Sequence, residues 1–189
     1  MRALLTLLSG LAVPAVSLAA SVWLIASEPF LAWEYGRDGF PPAPGFTDAE
    51  RLRLAVPSTL FLTRPSVSRA DLAALEHGGS SLYTDSEIEH LEDVRAVVGW
   101  VGRAGLSGAV VVGVASLAAA RRSDWREALG RGLRGGGLGT LALLVLIGLW
   151  LAVAWPIFFV LFHEVLFPPG TWQFSADSGL IRLFPERFW

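Results

Sequence analysis

Two of the three histidines in this chain, His90 and His163, stand where a polar segment meets a long apolar run. His90 lies in the stretch from Thr84 to Arg95, which passes into apolar residues with no proline or turn signal between. Helical periodicity puts Ser86, Glu87, His90, Asp93 and Val94 on one face, so an imidazole stands one turn from a carboxylate on either side. Such a pair suits acid–base chemistry, because histidine gains and loses a proton near neutral pH and a neighbouring carboxylate can orient or charge it. His90, Asp93 and His163 also have the composition of a zinc site with one position open to water, although a His-x-x-Asp spacing is too common to be diagnostic. Haem ligation fits poorly, since both imidazoles fall near helix ends where a haem would have little enclosure. Against these chemical readings stands a plain one, in which each histidine is an amphipathic filler at an interface. His77, in Glu76-His77-Gly78-Gly79, reads as a surface-loop residue.

The elements that must position these residues are membrane spans. Hydrophobic residues are 53% of the chain and charged residues only 17%, and the excess is gathered into apolar blocks. Residues 1–27 form the first transmembrane helix, uncharged after Arg2 and longer in its apolar core than a cleaved signal peptide. Residues 94–120 form the second and residues 138–163 the third, with Pro156 expected to bend it just below His163. Arg121, Arg122, Arg126, Arg131 and Arg134 crowd residues 121–137, which marks that stretch as a cytoplasmic loop. Residues 28–93, where acids far outnumber arginines, then form an extracytoplasmic helical cap that includes the start of the His90 helix. Residues 164–189 return to that side as a partly extended interfacial segment. The fold class is therefore all-α, a polytopic membrane protein with a small extracytoplasmic helical cap.

Within the cap, Thr47 with Glu50, and Thr84 with Glu87, fit capping boxes, and Ser68 with Asp71 is a further candidate cap. Pro57 is expected to end or bend the helix that Thr47 opens. Trp23, Phe30, Trp33 and Tyr35 mark an interface, and residues 40–45 form a proline-rich connector. In the second span Gly105, Ala109 and Gly113 recur at a spacing that admits a close neighbour. Arg103 in the same span either snorkels or reaches the site. The chain has no cysteine, which removes thiol nucleophiles, thiolate metal sites and lipidation of its own cysteine. Nothing in the charge pattern suggests nucleic acid, and nothing sets an oligomeric state.

His90-Leu91-Glu92-Asp93-Val94 before one span, Phe162-His163-Glu164-Val165-Leu166-Phe167 after the next, and then Trp172, Phe174, Leu180-Ile181 and Pro185, resemble the bacterial lipoprotein intramolecular transacylase family. The layout is similar along the whole chain, and the specific likeness is confined to about Tyr83–Val94 and Phe162–Trp189. The resemblance implies a multi-pass protein of the bacterial cytoplasmic membrane with its active site on the extracytoplasmic side. It implies transfer of the sn-2 acyl chain of a diacylglyceryl-cysteine to the α-amino group of that cysteine, giving a lyso-form lipoprotein. It puts the family's paired histidines on His90 and His163, and it implies a fourth span in complete members, which this chain ends before reaching. The partners implied are a diacylglyceryl lipoprotein and membrane lipid.

The chemistry suits the residues. Amine and ester belong to one molecule, so holding them together can supply much of the rate without an acyl-enzyme. The amine must lose a proton before it attacks, since an α-ammonium of pKa about 8 is mostly charged at neutral pH. His90 is expected to act as base and then acid, its pKa raised by Asp93 and Glu87. His163 is expected to stay neutral and polarise the ester or relay the proton. Arg95, Trp172 and Glu87 are expected to bind substrate, Arg95 and the Trp172 indole as donors to the oxyanion. No cofactor or metal is expected. The competing functions are a non-enzymatic lipid-binding or assembly subunit and a His/Asp zinc-dependent membrane hydrolase.

Overall fold

A computed structural model describes residues 1–189 as an almost wholly helical protein. Three helices are long and apolar enough to cross a membrane: α1 (Arg2–Ile25), α5 (Asp85–Ala119) and α6 (Ser123–Leu166). The shorter elements are α2 (Glu28–Tyr35), α3 (Asp48–Thr63), α4 (Arg69–Ala73), α7 (Gly179–Leu183), a 3-10 turn (Glu186–Phe188), and a hairpin of β1 (Glu76–His77) and β2 (Ser80–Ser81). The chain divides into two compact units. The first is Met1–Ser21 with Trp100–Phe162, and the second is Val22–Gly99 with His163–Trp189.

The first unit is held by close backbone approach. An added Cβ on Gly136 would strike the carbonyl oxygen of Gly10, and one on Gly132 would strike Ser9 Oγ. One on Gly108 would lie 3.1 Å from the Ala12 carbonyl oxygen. The expected Gly105, Ala109, Gly113 stripe is corrected here. Gly105 does face Ala19, but Ala109 is exposed and Gly113 has nothing near its Cβ position. A strict four-residue spacing turns by about 40° per step on a helix of 3.6 residues per turn, so it drifts off the contact. The buried positions are Gly105, Gly108, Ala115 and Ala119, which keep to one side by steps of three, seven and four.

The buried hydroxyl of Ser9 is satisfied within its own helix by the Leu5 carbonyl, 2.7 Å away, as suits a polar group in an apolar surrounding. Arg103 is exposed, with its guanidinium 4.3 Å over the Trp100 ring of the same helix. The expected loop 121–137 is helical from Ser123 onward, and only a tight turn separates α5 from α6. Its residues include good helix formers, and Asp124 in the first turn pairs with Arg122 and Arg2. The α6 backbone breaks at Ala154 (φ −139°, ψ 40°), two residues before Pro156, where the proline ring displaces the preceding turn.

The second unit has a conventional core. Leu31, Leu54, Phe61, Leu72, Ile88 and Leu183 are fully or almost fully buried in it. The capping boxes of Thr47 with Glu50 and Ser68 with Asp71 open α3 and α4. Contrary to expectation, α3 runs unbroken through Pro57. Leu54, Ala55, Ser58 and Phe61, buried on both sides of the proline, keep the helix on the core at the cost of one backbone bond. His77 is half-buried in β1 and stacked on Phe46 at 3.9 Å, so it belongs to a small sheet rather than a loose loop. The C-terminal stretch, expected to be partly extended, carries α7 and the 3-10 turn, and its Leu180, Leu183, Phe184 and Phe188 are part of the same core.

Candidate active site

The site is built in the second unit by the first turns of α5, the last turn of α6 and the segment leading to α7. α5 starts as its sequence dictates. Thr84 Oγ1 accepts from Glu87 N at 3.3 Å while Glu87 Oε2 accepts from Thr84 N at 2.8 Å, the reciprocal capping pair. That start sets the helix phase, and the phase turns Glu87, Ile88, His90 and Leu91 inward. α6 delivers His163 from the opposite chain direction.

The two imidazoles come together, with ring centroids 6.2 Å apart and planes 22° from parallel. Aromatic rings wall them in. Phe167 meets His90 edge-on at 4.8 Å and His163 at 5.5 Å, Phe174 lies 5.5 Å from His90, and Trp172 lies 4.8 Å from His163. His90 is 7% exposed and neither ring nitrogen makes a hydrogen bond within the protein; Nδ1 is wholly buried. A buried polar atom without a partner is costly and calls for an explanation. Burial first, and the second imidazole after it, push the His90 pKa down to about 4. This reverses the expected rise.

The reason for the reversal lies in the carboxylates. Asp93 is half-buried and forms no hydrogen bond or ion pair with His90. Glu87 is 2% exposed, but both its oxygens are engaged elsewhere: Oε2 by Thr84 N and Oγ1, and Oε1 by the backbone N–H of Leu180 at 2.8 Å. Both oxygens thus accept from groups of the protein itself. Arg95 is also committed away from the site. It donates to the carbonyls of Val67 and Arg64 and lies 4.5 Å over the Phe61 ring. Glu164 is exposed. No three His, Asp or Glu side chains gather so as to hold a metal ion, so the zinc alternative has no ligand set.

Of the residues expected from sequence, the fold thus brings together His90, His163 and Trp172, and leaves Asp93, Glu87 and Arg95 in other surroundings. It adds Phe167 and Phe174. Phe167 was legible as the residue one turn after His163, and Phe174 as the aromatic two residues after Trp172.

A family model described as lipoprotein intramolecular transacylase Lit matches residues 7–189. A protein of Aquifex aeolicus (strain VF5), described as uncharacterized, is 30% identical over 193 residues, covering 100% of this chain and 84% of that protein. No solved structure matches.

Proposed function

The chain belongs to the lipoprotein intramolecular transacylase family, and from that premise we propose that it moves the sn-2 acyl chain of a diacylglyceryl-cysteine onto the α-amino group of the same residue. It is a membrane protein and an acyltransferase. The unit carrying the histidines faces the extracytoplasmic side, a reading supported by the arginines clustered at the α5–α6 turn.

The observation that carries the proposal is the pair of imidazoles in an aromatic enclosure, one of them buried without a hydrogen-bond partner. His90, neutral at physiological pH, is ready to accept a proton. The same desolvation lowers the pKa of a substrate ammonium in that surrounding, so the amine reaches the ester in its nucleophilic form. The first proton it loses leaves the site. The nitrogen then attacks the ester carbonyl, the C–N bond forms, and the second N–H proton passes through His90 to the glyceryl oxygen as the C–O bond breaks. His163 polarises the ester or hands the proton on, and the Trp172 indole, against His163, is a donor candidate for the oxyanion. Because amine and ester arrive in one molecule, positioning replaces a nucleophilic side chain.

The test is transfer on a purified diacylglyceryl lipopeptide, with the N-acyl lyso product read by mass spectrometry. His90→Ala and His163→Ala should each lose nearly all activity, and the double variant should be no worse than either, because the two groups act as a unit. Full activity in His90→Ala would overturn the role given to it. An unchanged acyl pattern with the wild-type protein would leave the lipid-binding reading in its place.

A further inference from the structure

Glu87 is among the most buried charged side chains of the protein, stands one turn before His90, and has no part in the proton transfers described above. Its partners explain its position. One oxygen closes the capping box of α5, and the other holds the N–H of Leu180, the second residue of α7. α7 is pressed against the same place, because a Cβ on Gly179 would strike the Leu82 carbonyl oxygen.

The far end of α7 is held by a second set of buried polar groups. Arg51, 4% exposed, donates from Nη2 to the Arg182 carbonyl at 2.8 Å and from Nη1 to the Pro41 carbonyl at 2.7 Å. It has no carboxylate partner and lies instead over the neighbouring rings of Tyr35 and Phe40, 4.8 and 4.6 Å from their centroids. Tyr35 Oη donates to the Leu183 carbonyl at 2.7 Å. A buried guanidinium spent on carbonyls has a mechanical task, which is to fix the backbone it binds.

What α7 anchors is the segment before it. That segment leaves α6 after Leu166 and carries Trp172 and Phe174, the rings that stand against His163 and His90. One of its ends is fixed by α6 and the other by α7. We infer that Glu87 and Arg51 are positioning residues for transacylation: by clamping the two ends of α7 they hold Trp172 and Phe174 against the histidine pair. The inference rests on the proposed acyl transfer for its kinetic consequence, whereas its structural consequence can be read without any substrate.

The experiment uses the full chain labelled with 5-fluorotryptophan in lipid nanodiscs, the Trp172 resonance being assigned by its absence in Trp172→Phe. Glu87→Ala should shift or broaden that resonance while the other tryptophan signals and the helical circular dichroism stay as in wild type. Transfer should fall on the order of 100-fold, the loss that misplacing a site by about 1 Å can produce. Glu87→Gln, which keeps an oxygen for Leu180 N, should recover much of both. Arg51→Met and Gly179→Ala disturb the other attachments of α7 and should move the same resonance. They keep the inference testable if Glu87→Ala does not fold.

A Trp172 signal unchanged in Glu87→Ala despite lost transfer would overturn the inference and return Glu87 to the chemistry. Wild-type transfer in Glu87→Ala would overturn it as well. A wild-type protein inactive on the lipopeptide would instead remove the proposed reaction, with the fluorine response still reporting the clamp.

Discussion

The two units of this protein are held by different means, although Thr6 of the spanning unit also donates between elements, from Oγ1 to the Ala128 carbonyl at 3.0 Å. In the spanning unit, glycines let backbones touch, and the buried hydroxyl of Ser9 is satisfied inside its own helix. In the histidine-bearing unit, buried polar side chains cross between elements: Glu87 to α7, Arg51 to the connector and α7, Ser58 to Tyr83 at 2.6 Å, and Tyr35 to Leu183. Lipid gives no hydrophobic drive for one span to leave it for another, so close packing is the available attraction there. A small polar-rimmed unit has both a core and the option of long-range hydrogen bonds, and it uses them to fix a site.

The largest test of this contrast is steric. Gly136→Leu puts a side chain where the Gly10 backbone lies, and backbone cannot swing aside as a side chain can. We expect a loss of about 3 kcal/mol or more, or failure to accumulate folded protein, measured by thermal unfolding in detergent. Gly113→Leu, in open surroundings, should stay within about 0.5 kcal/mol of wild type. Equal effects at the two glycines would mean that close approach does not hold the spans.

The second test removes a polar link from the other unit. Tyr83 is buried, and burial raises its pKa, so its hydroxyl stays neutral and depends on Ser58. Ser58→Ala leaves that hydroxyl stranded and should cost about 1–3 kcal/mol. Tyr83→Phe should cost less, since Ser58 Oγ keeps the Leu54 carbonyl of its own helix.

A smaller effect is expected from acid. The folded chain holds His90 with a pKa of about 4 against an ordinary 6.5, so between these values the unfolded chain binds more protons. Stability therefore rises with pH across that window and is lost as pH falls towards 4. His90→Asn should flatten this slope relative to wild type in denaturation curves from pH 4 to 7. A slope unchanged by the substitution would mean that the imidazole is not buried uncharged.

Much of this could be read from the chain. Spans, caps and the meeting of His90 with His163 follow from hydropathy, from Thr84 with Glu87, and from two runs that enter and leave on the same side. The phase of the glycine contacts could not be read, because a strict spacing of four and a mixed spacing of three, seven and four fit the same run of small residues. Nor could the partner of Glu87, which lies 93 positions away in Leu180. Periodicity reports which residues share a face, and it is silent on which distant backbone N–H that face will meet. Long-range polar links decide between a carboxylate that serves a histidine and one that serves the fold.

That distinction sets the smallest expected effect, at Asp93. On the helical wheel it is the natural partner of His90, and a carboxylate at that place would raise the imidazole pKa and slow the loss of its proton. In the folded protein Asp93 makes no bond to His90, and the forces acting on the imidazole are burial and His163. Asp93→Asn should therefore leave transfer at neutral pH within about twofold of wild type, since removing a charge that is not coupled to the reacting group leaves the barrier unchanged. The pH profile of transfer should also keep its position. The measurement is kcat/KM for lipopeptide from pH 5 to 8 for wild type and Asp93→Asn. A profile displaced to higher or lower pH by the substitution would show that the carboxylate acts on the imidazole when substrate is bound, and would restore the pairing that the sequence suggests.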